Sequence, residues 1–266
     1  MTGDVSTSEP TPGTLVGIGV GPGDPELVTR LAIRRLEEAD RIVAPTTAPD
    51  AIGRAEAIVR QVLPQVRIDR VHFDMSSDDR PGGRAARSAS HAAAARSLAP
   101  WLRAGETVAF VTLGDPNIYS TFPSLAAAAA ELVGGLSVQT VPGIMAFQAL
   151  AARSTTVLLD GTESLALVTA LDGTAHVAEA LGDPDRAVVV YKGGRHLPEV
   201  TSLLADHHRL DGAVFGELLG LPGERIMPVA AAGAQPATYL ATVIVPPSSR
   251  VASHRQQDAS AWTPTS

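Results

Sequence analysis

The chain has 266 residues, of which 45% are hydrophobic, with a formal charge of -7 and no cysteine. That length buries a sizeable core, as one large domain or two smaller ones. Without cysteine, disulfides, thiolate metal sites and thiol nucleophiles are excluded, and the acidic balance argues against a nucleic-acid binder, which needs a basic surface to neutralise phosphates.

No apolar run approaches the roughly 20 residues that span a bilayer. Met1 to Gly13 is polar and lacks the basic and apolar regions of a secretory leader, so a cytoplasmic protein is expected. Residues 1–13 and the Pro- and Ser-rich stretch 247–266 are expected to be disordered tails.

Thr14 to Val20 reads as a buried strand. It stops at Gly21-Pro22-Gly23-Asp24-Pro25, where glycine permits close approach and positive φ, and proline fixes φ without an N–H. This is how a first strand delivers backbone to a ligand at a sheet's C-terminal edge. Neither register of Gly-x-Gly-x-x-Gly fits: Gly17-x-Gly19 meets Pro22, and Gly19-x-Gly21 meets Asp24. The Gly-Lys-Ser/Thr ending of a phosphate-cradling loop is missing too. By residues alone, an ordinary tight strand-to-helix turn is the alternative.

A helix is predicted from Pro25, with Asp24 as N-cap and Leu27, Leu31, Ile33 and Leu36 on its apolar face. Arg41 to Ala44 reads as a short strand stopped by Pro45, Ala55 to Val62 as a helix, and Gln65 to Phe73 alternates like a strand. After Gly82-Gly83, Arg84 to Leu102 is a long alanine-rich helix. Thr107 to Thr112 is a second buried strand, leaving through Leu113-Gly114-Asp115-Pro116. Phe122 to Val133 is helical, and the strand Ser137 to Val141 ends in Pro142-Gly143. This alternation predicts a mostly parallel sheet.

The second half carries strand patterns at Leu165 to Thr169, Ala187 to Tyr191, Ala213 to Glu217 and Thr238 to Val245, with helices at Thr174 to Leu181 and Leu197 to His207. It reads as a second, mixed α/β domain with antiparallel pairs. The expected division is 14–120 for the first domain and 121–246 for the second.

Three apolar strands thus end in Gly/Pro loops: Gly21-Pro22-Gly23-Asp24-Pro25, Gly114-Asp115-Pro116 and Val141-Pro142-Gly143-Ile144. In this order and spacing they resemble the tetrapyrrole (corrin/porphyrin) methyltransferase family, over roughly Thr14 to Val245. The continuation Tyr119-Ser120-Thr121 is similar to the branch of that family acting at C-20 of precorrin-2, as are Val190-Tyr191-Lys192-x-Gly194-Arg195 and Leu221-Pro222-Gly223-Glu224-Arg225.

The resemblance implies two α/β domains with a cofactor cleft between them, the class III methyltransferase type. It implies S-adenosylmethionine as methyl donor, S-adenosylhomocysteine as product, and precorrin-2 or cobalt-factor II as the small-molecule acceptor in cobalamin biosynthesis. It further implies a homodimer and no metal, nucleic-acid or membrane partner. The alternatives are the same fold acting at another tetrapyrrole position or on a modified protein histidine, or an S-adenosyl-binding module without turnover.

By the same resemblance, Pro22, Leu113, Gly114, Asp115, Ile118, Thr121, Met145, Ala146, Lys192 and Tyr239 are cofactor-binding candidates. Lys192, the one lysine of the chain, stands where many relatives carry methionine. Asp115 is the candidate catalytic residue, orienting the substrate or taking a proton. Methyl transfer from a sulfonium needs alignment and exclusion of water more than it needs a covalent nucleophile.

Cations are expected to meet the acceptor's carboxylates: Arg80, Arg84, Arg87 and Arg195-His196, each otherwise a solvated surface charge. His207-His208-Arg209 reads as the basic end of a helix, because neighbours on a helix point apart. Asp50, Asp74 and Asp78-Asp79 read as solvated loop carboxylates.

Overall fold

Continuous apolar stretches bounded by glycine and proline build the first sheet, as buried parallel strands do. In a computed structural model, which describes residues 11–47, 51–73, 83–232 and 235–250, these are β1 (Thr14–Gly19), β2 (Arg41–Thr46), β3 (Ile68–His72), β4 (Thr107–Thr112) and β5 (Ser137–Val141). Their order is β3-β2-β4-β1-β5, and every pairing is parallel. The connecting helices are α1 (Arg30–Glu38), α2 (Arg54–Val62), α3 (Gly83–Arg103) and α4 (Phe122–Leu132).

Alternation along the strands feeds two cores. Leu15, Val43 and Phe110 pack with Leu98 and Leu102 of α3 and Leu125 of α4. Ile18, Ile42 and Val111 pack with Leu36 of α1 and Ile58 of α2 on the other side. Each such side chain contributes about 1.5–3 kcal/mol of burial.

The chain divides into units Met1–Met145 and Ala146–Ser266, so the boundary expected at 120/121 lies elsewhere. β5 pairs in register with β1, Leu15 opposite Val138, which keeps α4 and β5 in the first unit. The expected helix from Pro25 is also divided. Asp24 accepts the Glu26 N–H at 2.9 Å and caps a 3₁₀ turn, Pro25–Leu27. Val28 and Thr29 are extended, and the Thr29 hydroxyl then caps α1 by accepting the Ala32 N–H at 3.1 Å. Leu31 is left exposed while Ala32 and Leu36 are buried. Pro45 does not stop β2. Beyond Val43 the strand pairs with β3 alone, an edge position that tolerates a missing N–H.

The second unit holds β6 (Ser164–Thr169), β7 (Arg186–Tyr191), β8 (Val214–Glu217), β9 (Arg225–Pro228) and β10 (Ala241–Val245) in the order β6-β7-β10-β8-β9. β6 and β7 are parallel and the rest antiparallel, the mixed sheet expected. Its helices include α5 (Ala146–Arg153), α6 (Ala175–Leu181) and α7 (Leu197–Asp206); α5 and β9 have no counterpart in the sequence reading. Among the described residues no helix is long and apolar enough to cross a membrane.

Two further expectations are corrected. Arg209 is not a solvated helix end: it is buried, and its guanidinium donates to the carbonyls of Asp183, Arg186 and Pro246 at 3.1, 2.8 and 2.9 Å. Burial pushes its pKa down despite the nearby Asp183 and Asp185. The inner ends of both expected tails are packed. Gly13 donates its N–H to Leu102, Ser248 to Pro184, and Arg250 pairs with Asp160 and Glu163. Residues 1–10 and 251–266 lie outside the described residues, as do Asp50, Asp74, Asp78, Asp79, Arg80 and the side chain of Arg84.

Candidate active site

In a parallel sheet all strands end at one edge, and β4, β1 and β5 are neighbours. Their three Gly/Pro exits therefore meet. Val20 donates its N–H to Thr112 at 2.9 Å, and Gly114 donates to Gly21 at 2.8 Å. A Cβ on Gly19 would lie 2.4 Å from the Gly114 carbonyl oxygen and 2.7 Å from the Gly143 Cα. One on Gly143 would lie 2.0 Å from that same oxygen. The loops touch backbone to backbone, which only glycine permits here.

Asp115 locks this junction. It is buried, with Oδ1 accepting the Asn117 N–H at 2.8 Å and Oδ2 accepting the Gly143 N–H at 3.1 Å. Its carboxylate thus ties the β4 exit to the β5 exit, 28 residues away. Pro22 is buried beside the junction, Leu113 and Thr121 are half-buried, and Ile118 is exposed. Met145 is buried, and a Cβ on Gly114 would sit 3.0 Å from its sulfur. Gly114, at φ +63°, has that thioether packed where its side chain would stand. The side chains named here are a proline ring, a thioether, a hydroxyl and aliphatic groups, with a buried carboxylate and no cation to neutralise a phosphate.

Ser120 is a structural residue that the sequence reading used only as a family mark. Its hydroxyl accepts the Phe122 N–H at 3.1 Å and bonds the Thr112 hydroxyl at 3.0 Å. Thr121, at the N-cap position of α4, makes no side-chain cap bond. The local signal was present: Ser120-Thr121 ahead of Phe122-Pro123 is a helix start with proline in its first turn.

The second unit gathers a different set at one sheet edge. β7 and β8 flank β10 and run opposite to it, so their C-terminal ends lie beside its start, Tyr191 opposite Thr242 and Glu217 opposite Ala241. The next residues, Lys192 and Leu218, have φ of 56° and 52°. Such left-handed backbone costs side chains of this size about 1–3 kcal/mol each and concentrates at functional edges. The Lys192 ammonium lies 5.7 Å from the centroid of the exposed Tyr239 ring, a cation–π arrangement.

Two features fix that edge. A Cβ on Gly194 would stand 1.9 Å from the Thr238 carbonyl oxygen, and Ala237 donates its N–H to Gly194 at 2.7 Å. Buried Glu217 accepts from Arg225 through one oxygen and from the Thr238 N–H at 3.0 Å through the other. Burial alone pushes its pKa up, but the Thr238 and Arg225 donors outweigh it and hold the carboxyl below its ordinary value. Ala146 opens α5 next to Phe147, whose N–H donates to the Tyr191 hydroxyl at 2.8 Å. Arg195 donates to the Leu171 carbonyl and to His196, while Arg87 sits half-buried on α3.

A parallel sheet with a three-loop glycine junction, followed by a mixed sheet, defines the class. The family model for tetrapyrrole (corrin/porphyrin) methylases matches residues 14–234. The chain belongs to that family, and is a methyltransferase. It is 29% identical over 238 residues to the precorrin-2 C(20)-methyltransferase of Sinorhizobium sp, covering 88% of this chain and 95% of that protein. It is 33% identical to the cobalt-precorrin-2 C(20)-methyltransferase of Salmonella typhimurium, covering 80% and 86%. Cobalamin biosynthesis protein CobIJ of Mycobacterium tuberculosis is 34% identical over 88% of this chain, which spans 46% of that protein. Among solved structures, uroporphyrin-III C-methyl transferase from Thermus thermophilus, complexed with S-adenyl homocysteine, shares the fold with a TM-score of 0.61 at 22% identity, covering 90% of this chain and 100% of that one.

Proposed function

We propose that this chain transfers the methyl group of S-adenosylmethionine to C-20 of precorrin-2, or of its cobalt-containing form, in cobalamin biosynthesis, and does so as a cytoplasmic homodimer. The observation that carries the reading is the Gly19–Gly114–Gly143 junction locked by Asp115. The kinship with proteins named for C-20 methylation, over at least 80% of this chain, directs it to that ring position.

When bound, the cofactor supplies an electrophilic methyl on a sulfonium. In the first unit Pro22, Leu113, Gly114, Ile118, Thr121 and Met145 are the proposed contacts, through backbone groups and apolar side chains; in the second, Ala146, Lys192 and Tyr239. Asp115 acts by position. Each of its oxygens already accepts a backbone N–H, so its task is to hold the loops in the geometry that aligns methyl and acceptor carbon and excludes water. The acceptor carbon of a reduced tetrapyrrole is enamine-like, so loss of one proton completes the transfer.

The test is an anaerobic incubation of the protein with S-adenosylmethionine and fresh precorrin-2, following product mass and absorbance, beside calorimetry with S-adenosylhomocysteine. Addition of one methyl group at C-20 is expected. Methylation at another carbon assigns a different ring position. S-adenosylhomocysteine binding without transfer to any precorrin leaves a binding module, and no binding at all overturns both.

A further inference from the structure

The loop that follows the Asp115 lock carries an exposed aromatic residue. Asn117, Ile118 and Tyr119 are exposed in succession. Tyr119 is 45% exposed and has φ of 50°. For a bulky aromatic residue that backbone is an outlier, whereas glycine would adopt it freely.

The strained residue is firmly held. On one side Asp115 fixes the Asn117 N–H at 2.8 Å, and the Asn117 amide donates to the Thr140 hydroxyl of β5 at 3.3 Å. On the other, Ser120 accepts the Phe122 N–H at 3.1 Å and bonds Thr112 at 3.0 Å. A ring with nearly half of its surface exposed is thus kept on a pinned and unfavourable backbone. Strain over-determined in this way concentrates at ligand-facing positions. Partial burial pushes the Tyr119 phenol above its ordinary value, so at neutral pH its hydroxyl is a hydrogen-bond donor.

We infer that Tyr119 positions the methyl acceptor, its ring stacking on the flat macrocycle and its hydroxyl donating to one of the macrocycle's carboxylates. The inference rests on the tetrapyrrole reading above. Ile118, its neighbour, is a proposed cofactor contact, so one short loop would serve both donor and acceptor, which methyl transfer must bring together. An aromatic face suits a large conjugated ring through offset stacking.

The test uses the full chain saturated with S-adenosylhomocysteine and uroporphyrin III as a stable fluorescent tetrapyrrole probe, with Tyr119→Ala, Tyr119→Phe and the backbone control Tyr119→Gly. The Ala and Gly variants are expected to bind the porphyrin about tenfold more weakly, and the Phe variant about threefold. S-adenosylhomocysteine affinity is expected to stay within about twofold of the parent. In turnover with precorrin-2, the acceptor KM rises while kcat at saturation holds.

Equal porphyrin affinity in parent and Tyr119→Ala overturns the inference alone. So does a matching loss of S-adenosylhomocysteine affinity, which assigns the ring to the cofactor side. A changed sedimentation mass with unchanged porphyrin affinity assigns the ring to contact between copies and overturns the inference equally. A parent that binds no tetrapyrrole overturns the proposed function, and this inference with it.

Discussion

Gly143→Ala tests whether the three-loop junction is the functional core of the first unit. The added methyl would stand 2.0 Å from the Gly114 carbonyl oxygen and 2.8 Å from the Gly19 Cα, where ordinary contact begins at 3.4 Å. All the opposing atoms are backbone, so no side chain can swing away. The loops must separate by about 1.4 Å, the shortfall against ordinary contact. That movement breaks the Asp115–Gly143 hydrogen bond, already 3.1 Å long. Overpacking costs about 1–3 kcal/mol, and the lost charge-assisted bond adds about 1.5 kcal/mol. A displacement of about 1 Å near the reacting atoms costs on the order of a hundredfold in rate. Thermal unfolding and methyl incorporation measure these two effects, and calorimetry with S-adenosylhomocysteine measures the cofactor affinity. Gly134→Ala, with nothing within 4 Å of its new methyl, is the control and is expected to behave like the parent. Parental cofactor affinity and an unchanged Tm in Gly143→Ala would refute the argument that backbone contact sets this site.

Asp115→Asn keeps the shape but turns an NH2 toward one of two backbone N–H groups; a stability loss of about 1–3 kcal/mol and weaker S-adenosylhomocysteine binding are expected, while Asp115→Ala is expected to lose turnover, read by methyl incorporation. Glu56 has no exposed surface and holds Arg70 at 2.7 Å and Arg60 at 2.8 Å; both arginines reach solvent, so Glu56→Ala should cost about 2–3 kcal/mol in denaturant unfolding, below the full cost of breaking a wholly buried pair. The Arg70 hydrogen bonds first, set against burial, hold the Glu56 carboxyl below its ordinary value, and Glu217 is lowered as well. A lowered folded pKa gives stability that is fully present above the ordinary carboxylate range and lost as pH falls through the lowered value. Tm by circular dichroism should therefore hold from neutral pH down to that range and fall below it, with a shallower fall in Glu217→Gln. Lys192→Met should remove the cation over Tyr239 yet leave the fold intact; a changed S-adenosylhomocysteine affinity at unchanged Tm places the ammonium at the cofactor, and an unchanged affinity removes it from there.

What a sequence shows of such a fold depends on whether the cause is local. β4 and β5 occupy the predicted residues, Thr107–Thr112 and Ser137–Val141, because a buried strand and its Gly/Pro exit are written in adjacent positions. The three exits were equally plain, and parallel pairing alone carries them to one edge. The unit boundary was not plain: β5 belongs to the first sheet through its register with β1, a relation across more than a hundred residues that no local pattern encodes. The break at Val28-Thr29 was missed for a subtler reason, since the apolar periodicity runs on while the Thr29 hydroxyl restarts the helix. Asp115 shows the same division within one residue. Its motif advertises chemistry, but its task emerges only when Oδ2 meets the Gly143 N–H. Glu217, buried and bound to Thr238 across 21 residues, gives no sequence signal at all. In both cases a carboxylate within a strand or its exit fastens a distant loop, so the side chains at these two edges, Ile118 and Tyr119 in one unit and Lys192 and Tyr239 in the other, stand on frames held by buried carboxylates bonded to backbone N–H groups.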